Sequence, residues 1–234
     1  MGKYILKRIA LAIVTIWAVA TITFFLMNLV PGGPFLSEKA ISPAATKALE
    51  AKYGLDKPMA ERYFTYISDA AHGDFGDSLK QRGRTVMDII ATKFPVSARL
   101  GGMAVVLALC VGVPLGVLAA YKRGTFIDSL FSVIATCGIA VPGFVICTLL
   151  LYVFGVKLQW LPTLGLKSAQ SYIMPVVALA AYPTSYIMRL MRSSMLDVLG
   201  QDYMRTAKAK GLSQKVSLFK HALRNAILPV ITYV

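Results

Sequence analysis

The sequence predicts an all-α, polytopic transmembrane helical bundle, on three observations. Hydrophobic residues make up 56% of the 234-residue chain and charged residues only 15%, where a soluble domain is about half apolar and about a quarter charged. The apolar residues are gathered into long runs, and mean hydropathy reaches +0.63. The basic residues fall unevenly between those runs. The net charge of +14 raises nucleic acid as a partner, but the placement of the charges around apolar runs decides against it.

A membrane-crossing helix needs about 20 largely apolar residues. Four segments qualify: Ile9–Val30, Leu100–Ala120, Leu130–Val156 and Ile173–Met188. Lys3, Lys7 and Arg8 ahead of the first suggest a signal peptide, and Ala18-Val19-Ala20 resembles a cleavage site. The apolar run nevertheless continues through Phe24 and Phe25 to Val30, well beyond a signal peptide's hydrophobic region, so an uncleaved anchor is expected. Ile227–Val234 opens a fifth apolar segment that rises only about 12 Å as a helix, against a hydrocarbon core of about 30 Å. The expectation is four complete spans plus the start of a fifth, in a C-terminally truncated chain. Two domains are expected, 1–93 as the N-terminal span with an external helical loop, and 94–234 as the transmembrane core.

Orientation follows from Lys and Arg in the short loops. With the N-terminus cytoplasmic, Met1–Arg8, Tyr121–Ser129 and Arg189–Ala226 carry 3, 2 and 8 basic residues, and the external Lys157–Tyr172 only two. The long loop Pro31–Arg99 has ten basic and eight acidic residues, and loops of that length translocate largely regardless of charge.

No Asp, Glu, Lys or Arg lies inside the four spans, whereas ion-coupled carriers place ionisable groups at membrane depth. Pro114 between Gly112 and Gly116, Pro142-Gly143, Pro175 and Tyr182-Pro183 are either hinges along a pathway or ordinary helix packing. Cys110, Cys137 and Cys147 lie in apolar runs without metal-ligand spacing and read as small buried hydrophobes.

The loop 31–99 is rich in helix signals. Ser42 can cap a helix with Pro43 in its first turn and Gly54 at its end. A second helix can start near Asp56, with Met59, Tyr63, Tyr66, Ile67 and Ala70 on one face. Thr85-Val86-Met87-Asp88 resembles a capping box. The turn Gly73-Asp74-Phe75-Gly76-Asp77-Ser78 lacks the pattern and distant Glu of a calcium loop, so no metal site is expected. A compact external cap is the expected arrangement.

The chemistry-bearing segment is Asp202-Tyr203-Met204-Arg205-Thr206-Ala207-Lys208-Ala209-Lys210-Gly211, followed by His221-Ala222-Leu223-Arg224-Asn225-Ala226-Ile227-Leu228-Pro229. Asp202 can cap a short helix that Gly211 ends. Ser213 can cap a second, with Val216, Phe219, Leu223 and Ala226 on one face. Two short helices at a fixed angle form a knob that can transmit motion from a soluble engine. Alternatively, the basic residues fix topology and touch membrane lipid phosphates. Neither His72 nor His221 falls in a nucleophile or metal constellation, so no catalytic residue is assigned.

This segment resembles the EAA loop of binding-protein-dependent ABC importer permeases, more narrowly the oligopeptide/dipeptide/nickel branch. Tyr53-Gly54-Leu55-Asp56-Lys57-Pro58, Gly73-Asp74-Phe75-Gly76-Asp77-Ser78 and Phe94-Pro95-Val96-Ser97 are similar to that branch as well, and the likeness covers the whole chain. Arg205-Thr206-Ala207 stands where the general pattern has Glu-Ala-Ala, and His221-Ala222-Leu223-Arg224 where it has Ile-x-Leu-Pro. The branch's own apolar-Pro ending is at Ile227-Leu228-Pro229.

The resemblance implies a type I ABC importer permease fold with six spans. It implies a second homologous permease subunit, two ABC ATPase subunits and an external substrate-binding protein, in a bacterial inner membrane. Asp202 to Gly211, with His221, Arg224, Asn225 and Pro229, would form the ATPase-coupling loop. Ala207 and Gly211 would permit close backbone approach to an ATPase. No Gly-x-x-x-x-Gly-Lys-Ser/Thr phosphate loop is present, so hydrolysis is assigned to a partner and no cofactor to this chain. Peptides are the leading substrate expectation, with nickel complexes, glutathione or sugars also within the family. An ion-coupled carrier and a non-transporting scaffold are the alternatives from other classes.

Overall fold

The first apolar run forms one uninterrupted helix, α1 (Gly2–Leu29), starting seven residues earlier than its hydropathy suggests and burying no residue within the chain. Beyond the basic Lys3, Lys7 and Arg8 its surface is mostly apolar, and in a membrane such a surface faces lipid tails as apolar as itself. The structure, a computed structural model, describes residues 1–29, 54–78, 81, 83–213 and 216–234, with Lys208 in backbone only. The helix expected from Ser42 and Pro43 lies outside the described residues. The chain divides into two units, Met1–Phe94 and Pro95–Val234.

In the first unit, α2 (Met59–Ala71) follows Pro58, three residues later than the Asp56 start expected. Its Tyr63 ring stacks on Phe25 and meets Phe24 edge-on, each at 5.5 Å. Thr21 Oγ1 and the Tyr63 hydroxyl lie 2.8 Å apart, and Arg62 donates to Asn28 Oδ1 at 2.6 Å. The aromatic face predicted for α2 therefore packs on α1. The turn beyond it uses Gly73 and Gly76 at φ 84° and 72°, and Gly76 N donates to Asp74 Oδ1 at 2.8 Å. The capping box is present in full: Asp88 N donates to Thr85 Oγ1 at 3.0 Å, and Thr85 N to Asp88 Oδ2 at 3.3 Å. It opens α3 (Val86–Tyr121).

The second unit holds the rest of α3, then α4 (Phe126–Ala140) and α5 (Gly143–Leu150), which continues as a π-helical turn to Lys157. A 3₁₀ turn (Ala169–Tyr172) leads into α6 (Ile173–Leu199). The expected continuous span Leu130–Val156 is corrected: its halves are bent by 100° at Val141-Pro142. Val141 is extended, at φ −80° and ψ 122°, because the ring of Pro142 disfavours helical backbone in the residue before it. Among the described residues, three helices are long and apolar enough to cross a membrane, or four if the bent pair is one span. Of the fifth segment, six residues are helical (Leu228–Tyr233).

The core lies where α3 meets α6. Ala108, Val117 and Ala120 pack with Ile187, Met191 and Met195. Gly112 and Gly116 make that approach possible. A Cβ on Gly112 would stand 2.8 Å from Thr184 O, and one on Gly116 would stand 2.6 Å from Met188 O. These glycines serve ordinary close helix packing, as small-xxx-small pairs do in membranes. Gly138 admits Ser185 of α6 against α4 in the same way. The three cysteines are exposed on the chain's outer faces, not buried as expected, because each helix places only a narrow stripe inward.

Candidate coupling loop and polar groove

Past Leu199 the chain turns through Gly200 and Gln201 into α7 (Asp202–Ala209). Asp202 is its first helical residue rather than its cap, and its exposed carboxylate lies 3.5 Å from Arg205. Gly211 has φ 76°, and Leu212 N donates to Ala207 O at 3.3 Å, the six-to-one bond of a Schellman ending. Ser213 Oγ accepts from Val216 N at 3.4 Å, so Ser213 caps the second arm of the loop.

That second arm is not a regular helix. Ser217–Ala222 is π-helical and runs into α8 (Leu223–Ala226) and α9 (Leu228–Tyr233), with Pro229 in the first turn of α9. Wider turns rotate the buried face. Ser217, Ala222, Ala226 and Val230 point inward, whereas Val216 and Phe219 are exposed. The face expected from Val216, Phe219, Leu223 and Ala226 is corrected accordingly.

The two arms form one elbow. Met204 of α7 is fully buried with Ala222, Ala226, Val230 and Met195. Asn225 Nδ2 donates to the Tyr203 hydroxyl at 3.0 Å and to His221 O at 3.3 Å. Asp202, Tyr203, Arg205, Thr206, Ala209, Lys210, Gly211, Arg224, Asn225 and Pro229 are exposed, and His221 is half-buried. Ala207 departs from expectation: it is 7% exposed and packs inward, so its small side chain serves this chain's own packing. Gly211 has no heavy atom within 4 Å of a would-be Cβ and stays open.

Two features escaped sequence reasoning because the hydropathy of the fourth run ends at Met188 while the helix continues to Leu199. The spacing of Met188, Met191 and Met195 is the signal that could have extended it. In that extension, Arg192 donates to Asp128 Oδ1 through Nε at 2.5 Å and to Oδ2 through Nη2 at 2.8 Å. Gly124 N donates to the same Oδ2 at 3.0 Å. Beside this pair runs a polar groove of about 600 Å³ between α4 and α6, lined by Ser132, Thr136, Tyr182, Tyr186, Arg189 and Ser193 among others. No group of three or more metal-ligating side chains exists among the described residues.

The chain is an all-α membrane helical bundle bearing a polar elbow. Residues 112–234 match the family model described as binding-protein-dependent transport system inner membrane component. Residues 1–101 match that of the membrane component's N-terminal part. The chain belongs to this family of multi-pass membrane components. It is 44% identical to the oligopeptide transport system permease protein OppB of Salmonella typhimurium, over all of this chain and 77% of the relative. Similarity to the dipeptide transport system permease protein DppB of Bacillus subtilis is 44% identity over 99% of this chain and 75% of the relative. The Lactococcus lactis DppB is 39% identical over 100% and 77%.

Proposed function

We propose that the protein is the permease subunit of an ATP-driven ABC importer of di- and oligopeptides in a bacterial inner membrane, with its N-terminus cytoplasmic. The carrying observation is the 44% identity to an oligopeptide permease across the whole chain. The chain forms half the pathway with a second permease subunit, and an external binding protein delivers the substrate. ATP hydrolysis belongs to two separate ATPase subunits, which take up the elbow 202–229.

In this reading, α7 and Gly211 present the docking surface, and closure of the ATPases drags the elbow. The Tyr203–Asn225 hydrogen bond holds the two arms together, and Met204, packed with Met195, passes that motion to α6. The spans then exchange between inward-open and outward-open arrangements, a two-state equilibrium biased by nucleotide.

The test is peptide uptake by the complex purified from its own membranes and reconstituted with its binding protein. Uptake that requires ATP, by a complex whose native mass includes a second permease and two ATPases, is the expected result. Uptake that follows an ion gradient without ATP overturns the assignment.

A further inference from the structure

The groove between α4 and α6 mixes hydroxyl, aromatic and basic side chains with the apolar Ile139 and Leu190. Tyr182, Tyr186, Arg189 and Ser193 recur at helical spacing along one face of α6, and Ser132 and Thr136 along the facing side of α4. The Tyr186 ring stacks between Tyr182 at 6.4 Å and Tyr233 of α9 at 4.5 Å, which gives the wall a rigid aromatic ladder. Arg189 follows directly along that ladder. It lies on the long helix Ala169–Leu199, one turn before Arg192, whose partner Asp128 is in the first turn of α4 beside Gly124, and so stands at the end of the groove nearest that loop.

Arg192, one turn further on, is neutralised by Asp128. Arg189 is exposed, and among the described residues it has neither an ion pair nor a side-chain hydrogen bond. An unpaired cation at the mouth of a polar groove attracts ligands that carry the opposite charge. Ser and Thr hydroxyls and Tyr rings, which stack and hydrogen-bond without charge, suit a backbone-rich ligand of varied side chains.

The geometry points to this groove as the wall that the chain contributes to the peptide pathway, with Arg189 as a charge filter that engages the carboxylates of a passing peptide. The inference rests on the importer reading above and adds to it a preference by charge: anionic peptides are drawn past Arg189 and cationic ones are repelled.

The experiment uses the full complex with its binding protein in proteoliposomes and compares ATP-dependent uptake of Ala-Glu-Ala and Ala-Lys-Ala. One binding protein serves every variant, so its own selectivity cancels in the change of the uptake ratio. Arg189→Gln should lower the Glu/Lys ratio by about tenfold, Arg189→Glu should invert it, and Arg189→Lys should hold it near wild type. Ser132→Asp, which sets a negative charge on the facing wall, should lower the same ratio even if the Arg189 variants assemble poorly. Equal loss of both peptides, or an unmoved ratio in assembled variants, overturns the filter and leaves the importer assignment standing. Failure of the wild-type complex to import either peptide overturns the importer assignment itself.

Discussion

Arg192 grips Asp128 through two parallel hydrogen bonds of 2.5 and 2.8 Å, tying α6 to the first turn of α4 across 64 positions of sequence. The Asp128 side chain is 8% exposed and that of Arg192 31%. Both carboxylate oxygens are used, one of them twice because Gly124 N also donates to it. A pair this complete resists disruption from either side, since removing one partner strands the other's charge.

Asp128→Ala and Arg192→Ala should therefore each destabilise the bundle by about 1.5–3 kcal/mol, the scale of hydrogen bonds to charged groups. The double substitution should cost clearly less than the sum of the two. Thermal denaturation of the four proteins in one detergent measures the coupling. Additive losses would mean that the two side chains act independently.

Gly116→Leu should fail to pack, because a Cβ there would stand 2.6 Å from Met188 O and 2.7 Å from Met191 Cβ. Overpacking of this kind costs about 1–3 kcal/mol. Gly101, on the same helix with nothing within 4 Å, should accept Ala without loss. Yield of monodisperse protein in mild detergent distinguishes the two, and equal yields would contradict the close α3–α6 packing.

At Gly211 two effects can be separated. Its φ of 76° is a region that a β-branched side chain enters at a cost of about 1–2 kcal/mol, whereas Asn enters it readily. Gly211→Val should abolish co-purification of the ATPase subunits while leaving membrane insertion intact, and Gly211→Asn should retain much of it. If Asn fails as completely as Val, the open space around Gly211, and not its backbone angle, is what the partner needs. Undisturbed ATPase binding in Gly211→Val would remove Gly211 from the docking surface.

Thr85→Ala should cost about 1 kcal/mol, as removal of a helix N-cap does, and the loss should be local. Faster amide exchange at Val86 to Asp88, without change in the second unit, is the expected pattern. Asp88→Ala should match it, since each residue caps the other.

How much of this was legible depended on whether the signal was local. The Thr85–Asp88 capping box, the Gly211 ending and the Tyr63 face all follow from residue type at short spacing, and the structure contains each. The bend at Val141-Pro142 was visible as a proline yet hidden by unbroken apolarity, because hydropathy does not register backbone direction. The elbow's second arm misled for a different reason. The 3.6-residue period assumed for Val216 to Ala226 fails across a π-helical stretch, and nothing in the composition of Ser217–Ala222 announces one. The Asp128–Arg192 pair needed knowledge of which helices meet, and Arg189 looked like a loop residue until α6 was seen to continue past it.

Two stretches of α6 differ in how much they yield. Toward α3 it meets bare glycine backbone at Gly112 and Gly116, where no atom can give way. Further along, Met195 shares a buried cluster with Met204 of the elbow, and unbranched thioether chains refill space at little cost when their neighbours move. One helix is thus riveted along its middle and greased toward its C-terminal end. A load arriving through the elbow can slide over the methionines before the glycine seam is forced to move as a block.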